Sequence, residues 1–424
     1  MKKIFIKSSL LLLFVNVIFI GCSKKESFDT IADFSLVLTS SSADGVLLLN
    51  EELTFTVLTE EGVDYTNEAT FFVNGSEINV SSYNFSAEGT YEVYASYLGV
   101  VSNTLAFEVI DGTSRILLLS NAKVLRNQEV SFDVVDASGN NYNDTGTFYV
   151  NGNPITGNIF SSTQTGSYEV YAEYTIEGEN FTSETKTFQI FIPKRKVVVE
   201  DYTGAWCGYC PAVSAAIENV YDLTSNITSI AIHNNDELAL SIEPALRTEF
   251  GVFGFPSGRI NRTTTWGSGL NFPTTAVTSL AGLDVATAIS ISSSVTNGNL
   301  AVKVSLISEN DLQNTKLVVY LTEDGIPLDQ TNYFNGDSSS PYFGLGDPII
   351  DFEQNHVLRA SLTNAFGNEI PSTNALTTYE TSFNYEIPSN FVNEKLSIVV
   401  MLVDTDNNAL NSQYAKVGED KGFE

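Results

Sequence analysis

Cysteine, histidine and basic side chains are all scarce in this chain of 424 residues, which carries 3 Cys, 2 His and 21 Lys plus Arg against 51 Asp plus Glu. Three cysteines cannot build a disulfide framework. Because Cys22 follows an apolar leader, Cys207 and Cys210 are the one pair left to the rest of the chain. Structural zinc needs four ligands, and Cys207, Cys210, His233 and His356 include no second Cys pair, so a zinc site fits poorly. No metal or other cofactor is expected; copper(I) held by the two thiolates and His233 is a minor alternative, because soft sulfur suits that ion. His233 otherwise reads as a polar strand-end residue near the cysteines, and His356, in a β-run, as a packed or surface residue. A formal net charge of −30 with no basic stripe repels phosphate backbones, which excludes nucleic acid as a partner. The acidity reads as solubility outside the cell.

The first 21 residues are an address. Lys2, Lys3 and Lys7 form a basic start, residues 10–20 are almost wholly apolar yet marginal as a bilayer span, and Gly21-Cys22 is a small-residue junction. Phe19-Ile20-Gly21-Cys22 resembles the lipobox of bacterial lipoproteins, with Phe19 where Leu is usual. That resemblance implies cleavage before Cys22, lipidation of its thiol and attachment to a membrane; an ordinary secretory signal or short anchor is the alternative. Residues 1–21 are therefore assigned as a lipoprotein signal peptide and 22–31, polar and without period, as a tether. Removing the three leader lysines takes the net charge to about −33, and what remains exceeds the length that one core usually organises.

The next region is a duplication. Leu53-Thr54-Phe55-Thr56-Val57 matches Val130-Ser131-Phe132-Asp133-Val134, and Thr70-Phe71-Phe72-Val73-Asn74-Gly75 matches Thr147-Phe148-Tyr149-Val150-Asn151-Gly152. Gly89-Thr90-Tyr91-Glu92-Val93-Tyr94-Ala95 matches Gly166-Ser167-Tyr168-Glu169-Val170-Tyr171-Ala172, all at an offset of 77 residues. Period-two alternation between Asn-Gly, Glu-Gly and Ser-Gly turns predicts antiparallel β-sandwiches at 32–110 and 111–192. The Gly-Thr/Ser-Tyr-Glu-Val-Tyr-Ala segment resembles a late strand of bacterial immunoglobulin-like modules, without their intersheet cysteines. A spacer role is expected, with glycan or protein binding through Tyr91, Tyr94, Tyr168 and Tyr171 as the rival.

From residue 193 the pattern changes. A buried strand over 196–201, a helix over 211–222 and a second strand over 227–232 predict an α/β unit. A second helix over 241–250 must take Pro244 into its first turn, and 271–283 is a candidate last helix. Between the first strand and helix stands Trp206-Cys207-Gly208-Tyr209-Cys210-Pro211. A Cys-x-x-Cys pair at a helix N-terminus favours a thiolate at Cys207, with Cys210 one turn on to resolve a mixed disulfide. Two thiols three residues apart are a poor structural staple, because closing so short a loop gains little.

A strand ending in Trp-Cys-x-x-Cys-Pro, with Phe255-Pro256-Ser257 placing its proline 49 residues after Cys207, resembles the thioredoxin fold. By that resemblance Pro256 is a cis-proline packed on the Cys pair that presents substrate backbone, and Asp201 is the buried carboxylate that relays a proton. Glu200 is the adjacent candidate for the relay, and Trp206 shields the site. With the lipobox, the β modules and Asn355-His356-Val357-Leu358-Arg359, residues 193–424 resemble thioredoxin-like outer-membrane lipoproteins related to a 28-kDa outer-membrane antigen. The resemblance implies a thioredoxin-like α/β domain at 193–283 and an outer-membrane location, facing periplasm or cell surface.

Strands expected at 287–295, 300–308, 316–322, 357–362, 378–387 and 396–403 predict a third β-sandwich over 284–424. The Gly/Ser/Asn/Asp-rich stretch 324–351, carrying Tyr333, Phe334, Tyr342 and Phe343, is either a lid over the cysteines or a mobile surface loop. Asp404-Thr405-Asp406-Asn407-Asn408 lacks the Gly and distal Glu of a calcium loop and reads as a hairpin turn. The functional expectation is an envelope-anchored thiol–disulfide oxidoreductase acting on exported client proteins with thiols or disulfides. Its alternative is a non-enzymatic surface binding or adhesion lipoprotein whose cysteines stay oxidised. A buried, unreactive disulfide favours the alternative.

Overall fold

The computed structural model describes residues 35–424 apart from 43–44, 60–61, 79, 111–114, 137–138 and 177. The leader, the tether and the lipidation expected at Cys22 lie outside the described residues. The chain divides into two compact units, residues 1–110 and 111–424.

Period-two alternation builds the first unit. Strand Glu52–Thr59 buries Leu53, Phe55 and Val57 on one face, because successive strand side chains point to opposite sides. It pairs with Leu36–Ser40 and Ser82–Asn84, while Gly89–Tyr97 and Thr70–Val73 belong to a six-stranded sheet. Phe55, Phe71, Phe85 and Phe107 fill the core between the two sheets.

The second unit opens with the second copy. Strand Val130–Val135 buries Val130, Phe132 and Val134, the residues that stand 77 positions after Leu53, Phe55 and Val57. Tyr91 and Tyr168 turn inward against Phe85 and Phe188. Tyr94 and Tyr171 instead stack across their strands, Tyr94 on Phe72 and Tyr171 on Tyr149, each with ring centroids 4.8 Å apart. The second copy is docked on the C-terminal region of the chain. Arg126 holds both carboxylate oxygens of Glu309, at 2.8 and 2.5 Å, and Leu125 packs with Ala288 and Ile307.

The main elements that follow are β1 (Val197–Thr203), α1 (Pro211–Tyr221), β2 (Ile227–His233), α2 (Glu243–Glu249), β3 (Ser257–Ile260), β4 (Thr264–Trp266) and α3 (Thr275–Thr278). They continue with β5 (Thr287–Thr296), β6 (Asn299–Ser308), β7 (Lys316–Glu323), β8 (Val357–Ser361), β9 (Tyr379–Glu386), β10 (Leu396–Val403) and β11 (Ala409–Lys416). β1 and β2 run parallel across α1, and β2 is parallel to β8 through Ala231 and Val357. A nine-stranded sheet results, in the order β4-β3-β1-β2-β8-β7-β10-β11 with Asn368–Glu369 beside β7. β11 returns against the start of β1. Ser412 Oγ donates to the Lys196 carbonyl at 2.9 Å, and the Lys196 N–H donates to Asn411 Oδ1 at 2.9 Å.

Every residue of β1 is buried, both the apolar start at Val197, Val198 and Val199 and the carboxyls of Glu200 and Asp201. Val197 and Val199 pack with α1 and Trp266, whereas Val198 and Tyr202 pack with Leu246 of α2 and Val318 and Tyr320 of β7. The opposite face of β7 and β10 covers the four-stranded sheet formed by β9, β6, β5 and Asp420–Lys421.

This architecture overturns the expected thioredoxin-like α/β domain. The helices are short, at 11, 7 and 4 residues, and 271–283 supplies one turn of helix where a closing helix was expected. β1 to β4 are part of one β-dominated sheet whose other strands all come from beyond residue 284. The physical reason is the edge of β2. Unpaired backbone groups along that edge need a partner, and the Ala231 N–H finds it in the His356 carbonyl at 2.8 Å. A local strand–helix–strand pattern is silent about a partner so distant in sequence.

Candidate functional site

β1 ends at Thr203, and the chain turns through Gly204 to Tyr209 into α1, where Pro211 sits in the first turn, a position that needs no N–H. Cys207 and Cys210 are joined as a disulfide, with S–S 2.08 Å and Cα–Cα 5.4 Å. Both are buried, at 5% and 1% exposure, and α1 is held from beneath by Val213, Ile217 and Val220 in the core.

The turn is covered by the 324–351 segment, which is tied down rather than loose. Gln330 Nε2 donates to the Cys207 carbonyl at 3.0 Å, the Thr331 N–H to the Ala205 carbonyl at 2.9 Å, and the Tyr333 N–H to the Gly208 carbonyl at 2.9 Å. The Tyr333 ring lies over Gly208 so closely that a Cβ there would run into it. Tyr209 meets Tyr333 and Phe334 edge-on, at 5.0 and 5.8 Å. Behind this contact, Asn332 Nδ2 donates to the Tyr342 and Gly346 carbonyls at 3.0 and 2.8 Å, and Gln354 Nε2 donates to Gln330 Oε1 at 3.0 Å.

Neighbouring carboxyls on β1 face opposite ways, as strand alternation requires. Asp201 is buried with Oδ1 lacking a partner, and desolvation pushes its pKa well above the usual carboxylate range. It lines a cavity of about 110 Å³ with Ile217, Tyr342 and His356. Glu200 faces Arg262, with Arg262 Nε 3.1 Å from Glu200 Oε1 and both side chains fully buried. Glu200 is thus held in a core ion pair.

Trp206 is half-exposed; its Nε1–H donates to the Asn234 carbonyl at 2.7 Å and its ring meets Phe255 edge-on at 5.5 Å. The Phe255–Pro256 peptide is cis, and Pro256 leads into β3. Trp206, Tyr209, Phe253 and Tyr333 are exposed aromatic side chains, with Phe253 at 95% exposure and Tyr209 and Tyr333 in contact. His233 Nδ1 lies 2.8 Å from Asp236 Oδ2, an oxygen that also accepts the Ala205 N–H at 2.8 Å. His356 Nδ1 lies 3.3 Å from Asp324, and its ring stacks on Tyr221. Among the described residues no group of three or more His, Cys, Asp and Glu side chains is arranged to hold a metal ion.

Asp236, Gln330, Asn332 and Arg262 do not stand out in the sequence. The three-residue spacing from His233 is a faint signal for Asp236; the others carry no local signal. Desolvation pushes the Asp236 carboxyl up, but hydrogen bonds from His233, Ala205 and Leu238 outweigh it and hold its pKa below that of an ordinary aspartate. A depressed folded pKa contributes stability that is present above the unfolded value and is lost as pH falls through the folded one. Asp236→Asn is therefore expected to lower the urea midpoint at neutral pH, with the gap from wild type closing in acid below the unfolded value. A gap independent of pH would mean that the charge of Asp236 contributes nothing.

The fold is β-rich and the buried disulfide is a capped element of it, a combination suited to an exported envelope protein. Residues 243–421 match the family described as Outer membrane protein Omp28. Over this region the chain is a relative of an outer-membrane family, and its location is the outer membrane. No curated protein matches the sequence. Among solved structures the chain is similar to HBP35 of Porphyromonas gingivalis, at 15% identity and TM-score 0.42, over 54% of this chain and 77% of that one. It is also similar to the D0-D1 domain of Intimin, at 15% identity and TM-score 0.21 over 36% and 96% of the two chains. Domains 5-6 of the S-layer protein SbsC align at 19% identity and TM-score 0.15, over 38% and 99%.

Proposed function

We propose that this chain is a non-enzymatic binding protein of the outer membrane, tethered by lipid on Cys22 and spaced from the bilayer by its β modules. In this reading the disulfide turn is a scaffold, and the exposed rings of Trp206, Tyr209, Phe253 and Tyr333 are the side chains that meet an exported protein. The observation that carries it is the state of the sulfurs. They are bonded to each other, nearly inaccessible, and set in a turn whose carbonyls are held by Gln330 and Tyr333, whereas disulfide exchange needs an accessible thiolate.

The test compares the intact chain with Cys207→Ser/Cys210→Ser in two assays, refolding of a scrambled disulfide substrate and retention on an array of envelope proteins and glycans. The expected result is no turnover by either protein and equal retention by both, with retention reduced in Phe253→Ser. Turnover by wild type that the double variant loses would overturn the reading.

One observation favours oxidoreductase activity on thiol- or disulfide-bearing client proteins as a second reading. The buried Asp201 carboxyl, whose Oδ1 has no partner and whose pKa desolvation pushes well above the usual carboxylate range, lies on the strand leading into the disulfide turn. Turnover reduced in Asp201→Asn, with its pH dependence flattened, would support that reading.

A further inference from the structure

The roof over the disulfide is a built object. Residues 328–350 leave β7 and return before β8, and the mutual backbone bonds of Gln330 and Ile349, at 2.9 and 2.8 Å, close their base. Asn332, 1% exposed, gathers the far side through the Tyr342 and Gly346 carbonyls and takes the Phe334 N–H at 3.0 Å on its own Oδ1. The closed loop presents one edge to the turn of residues 204–208. Three donors on that edge, Gln330 Nε2, Thr331 N and Tyr333 N, meet the carbonyls of Cys207, Ala205 and Gly208. Tyr333 completes the cover by lying flat over Gly208, where no side chain competes for the space. Buried polar pairing of this kind is costly to break in part and holds only one arrangement well.

We infer that this segment is a strap that guards the Cys207–Cys210 disulfide, so that reduction requires the strap to lift and reduction in turn releases the strap. The inference rests on the disulfide being inert in the docked state, as in the proposed function. A dithiol reductant such as dithiothreitol must first place one thiolate in line with the S–S bond. Attack forms a mixed disulfide and expels the other protein sulfur as a thiolate, which takes a proton. The reagent's second thiolate then displaces the first protein sulfur and closes the reagent's own disulfide, so two electrons pass to the protein. The strap is docked on the carbonyls of the turn that carries Cys207, and in this inference it must lift before that approach opens. The coupling is reciprocal: whatever the docked strap contributes against reduction, an intact disulfide contributes to docking.

The experiment measures the reduction rate of the intact chain by dithiothreitol, read by thiol trapping, in wild type, Tyr333→Ala, Gln330→Ala and Phe343→Ala. Phe343 is on the same segment but exposed and away from the turn contacts, so it controls for general loosening. Tyr333→Ala and Gln330→Ala are expected to be reduced at least about tenfold faster than wild type, each tenfold corresponding to about 1.4 kcal/mol of docking. Phe343→Ala should match wild type. Hydrogen exchange at Thr331 and Tyr333 should accelerate by a similar factor in Cys207→Ser/Cys210→Ser, which checks the reverse direction without the reductant and without altering the strap. Equal rates for all four proteins, with wild type slow, would overturn the guard while leaving the inert disulfide in place. Rapid reduction of wild type would instead overturn the inert disulfide itself, and acceleration in Phe343→Ala as large as in Tyr333→Ala would also sink the guard.

Discussion

Arg262→Met is expected to destabilise the second unit by about 3–5 kcal/mol, because it strands a buried carboxylate without its partner. Arg262 and Glu200 have no exposed surface, and the guanidinium also donates to Tyr320 Oη at 3.1 Å and the Ala365 carbonyl at 3.3 Å while lying 4.7 Å from the Phe250 ring centroid. The charge is thus met by a carboxylate, a hydroxyl, a carbonyl and a ring face, while its Nη1 has no partner. Most of the cost belongs to the orphaned Glu200. Adding Glu200→Gln to Arg262→Met should therefore recover a large part of the loss, since a neutral amide is far cheaper to bury than a carboxylate. Urea midpoints for the two single variants and the double variant decide it. A double variant as unstable as the sum of the singles would mean that the pair is not coupled.

The second large effect is expected at Trp266, where replacement by alanine should cost about 3–5 kcal/mol. The ring is fully buried on β4, packs edge-on against Phe272 at 5.5 Å, and donates its Nε1–H to the Pro273 carbonyl at 3.0 Å. It shares a core with Val213, Ile217 and Val220, the residues that seat α1 beneath the disulfide. Loss of the ring opens a cavity on that side of β1 and should speed hydrogen exchange along α1 as well as lower the unfolding midpoint. The face of β1 that carries Tyr202 is insulated by the strand itself, so exchange in α2 should change little. Faster exchange confined to α2 would contradict the packing of Trp266 beneath α1.

Elsewhere in the chain local sequence is more informative than at either of these residues. Leu53, Phe55 and Val57 bury as their alternation requires, and their counterparts 77 residues later do the same, because a strand with one face on a core must repeat every second residue. The strands at 287–296, 299–308, 316–323 and 396–403 lie within a residue of their expected bounds, for the same reason. Pro244 in the first turn of α2 and Pro211 in that of α1 mark helix starts through their missing N–H. Enclosing the βαβ pattern in a domain of its own is where the sequence misleads. Strand and helix are legible over a few residues, but which strand takes the open edge of β2 depends on β8, and no residue of either strand names the other.

The site divides along the same line. Cys-x-x-Cys placed before a helix-starting proline was enough, by sequence alone, to mark two sulfurs within bonding reach at the head of α1, since helix geometry over one turn leaves little freedom. The choice between Glu200 and Asp201 was not decided by sequence, because adjacent strand residues differ only in which face the sheet will bury. The tertiary structure gave Glu200 to Arg262 and left Asp201 facing a small cavity. It also decided whether the sulfurs are open or roofed. Gln330 and Tyr333 stand more than a hundred residues from Cys207 and meet its turn through the Gln330 side-chain amide and the Tyr333 N–H and ring, contacts that depend on where the chain returns and that no local pattern announces.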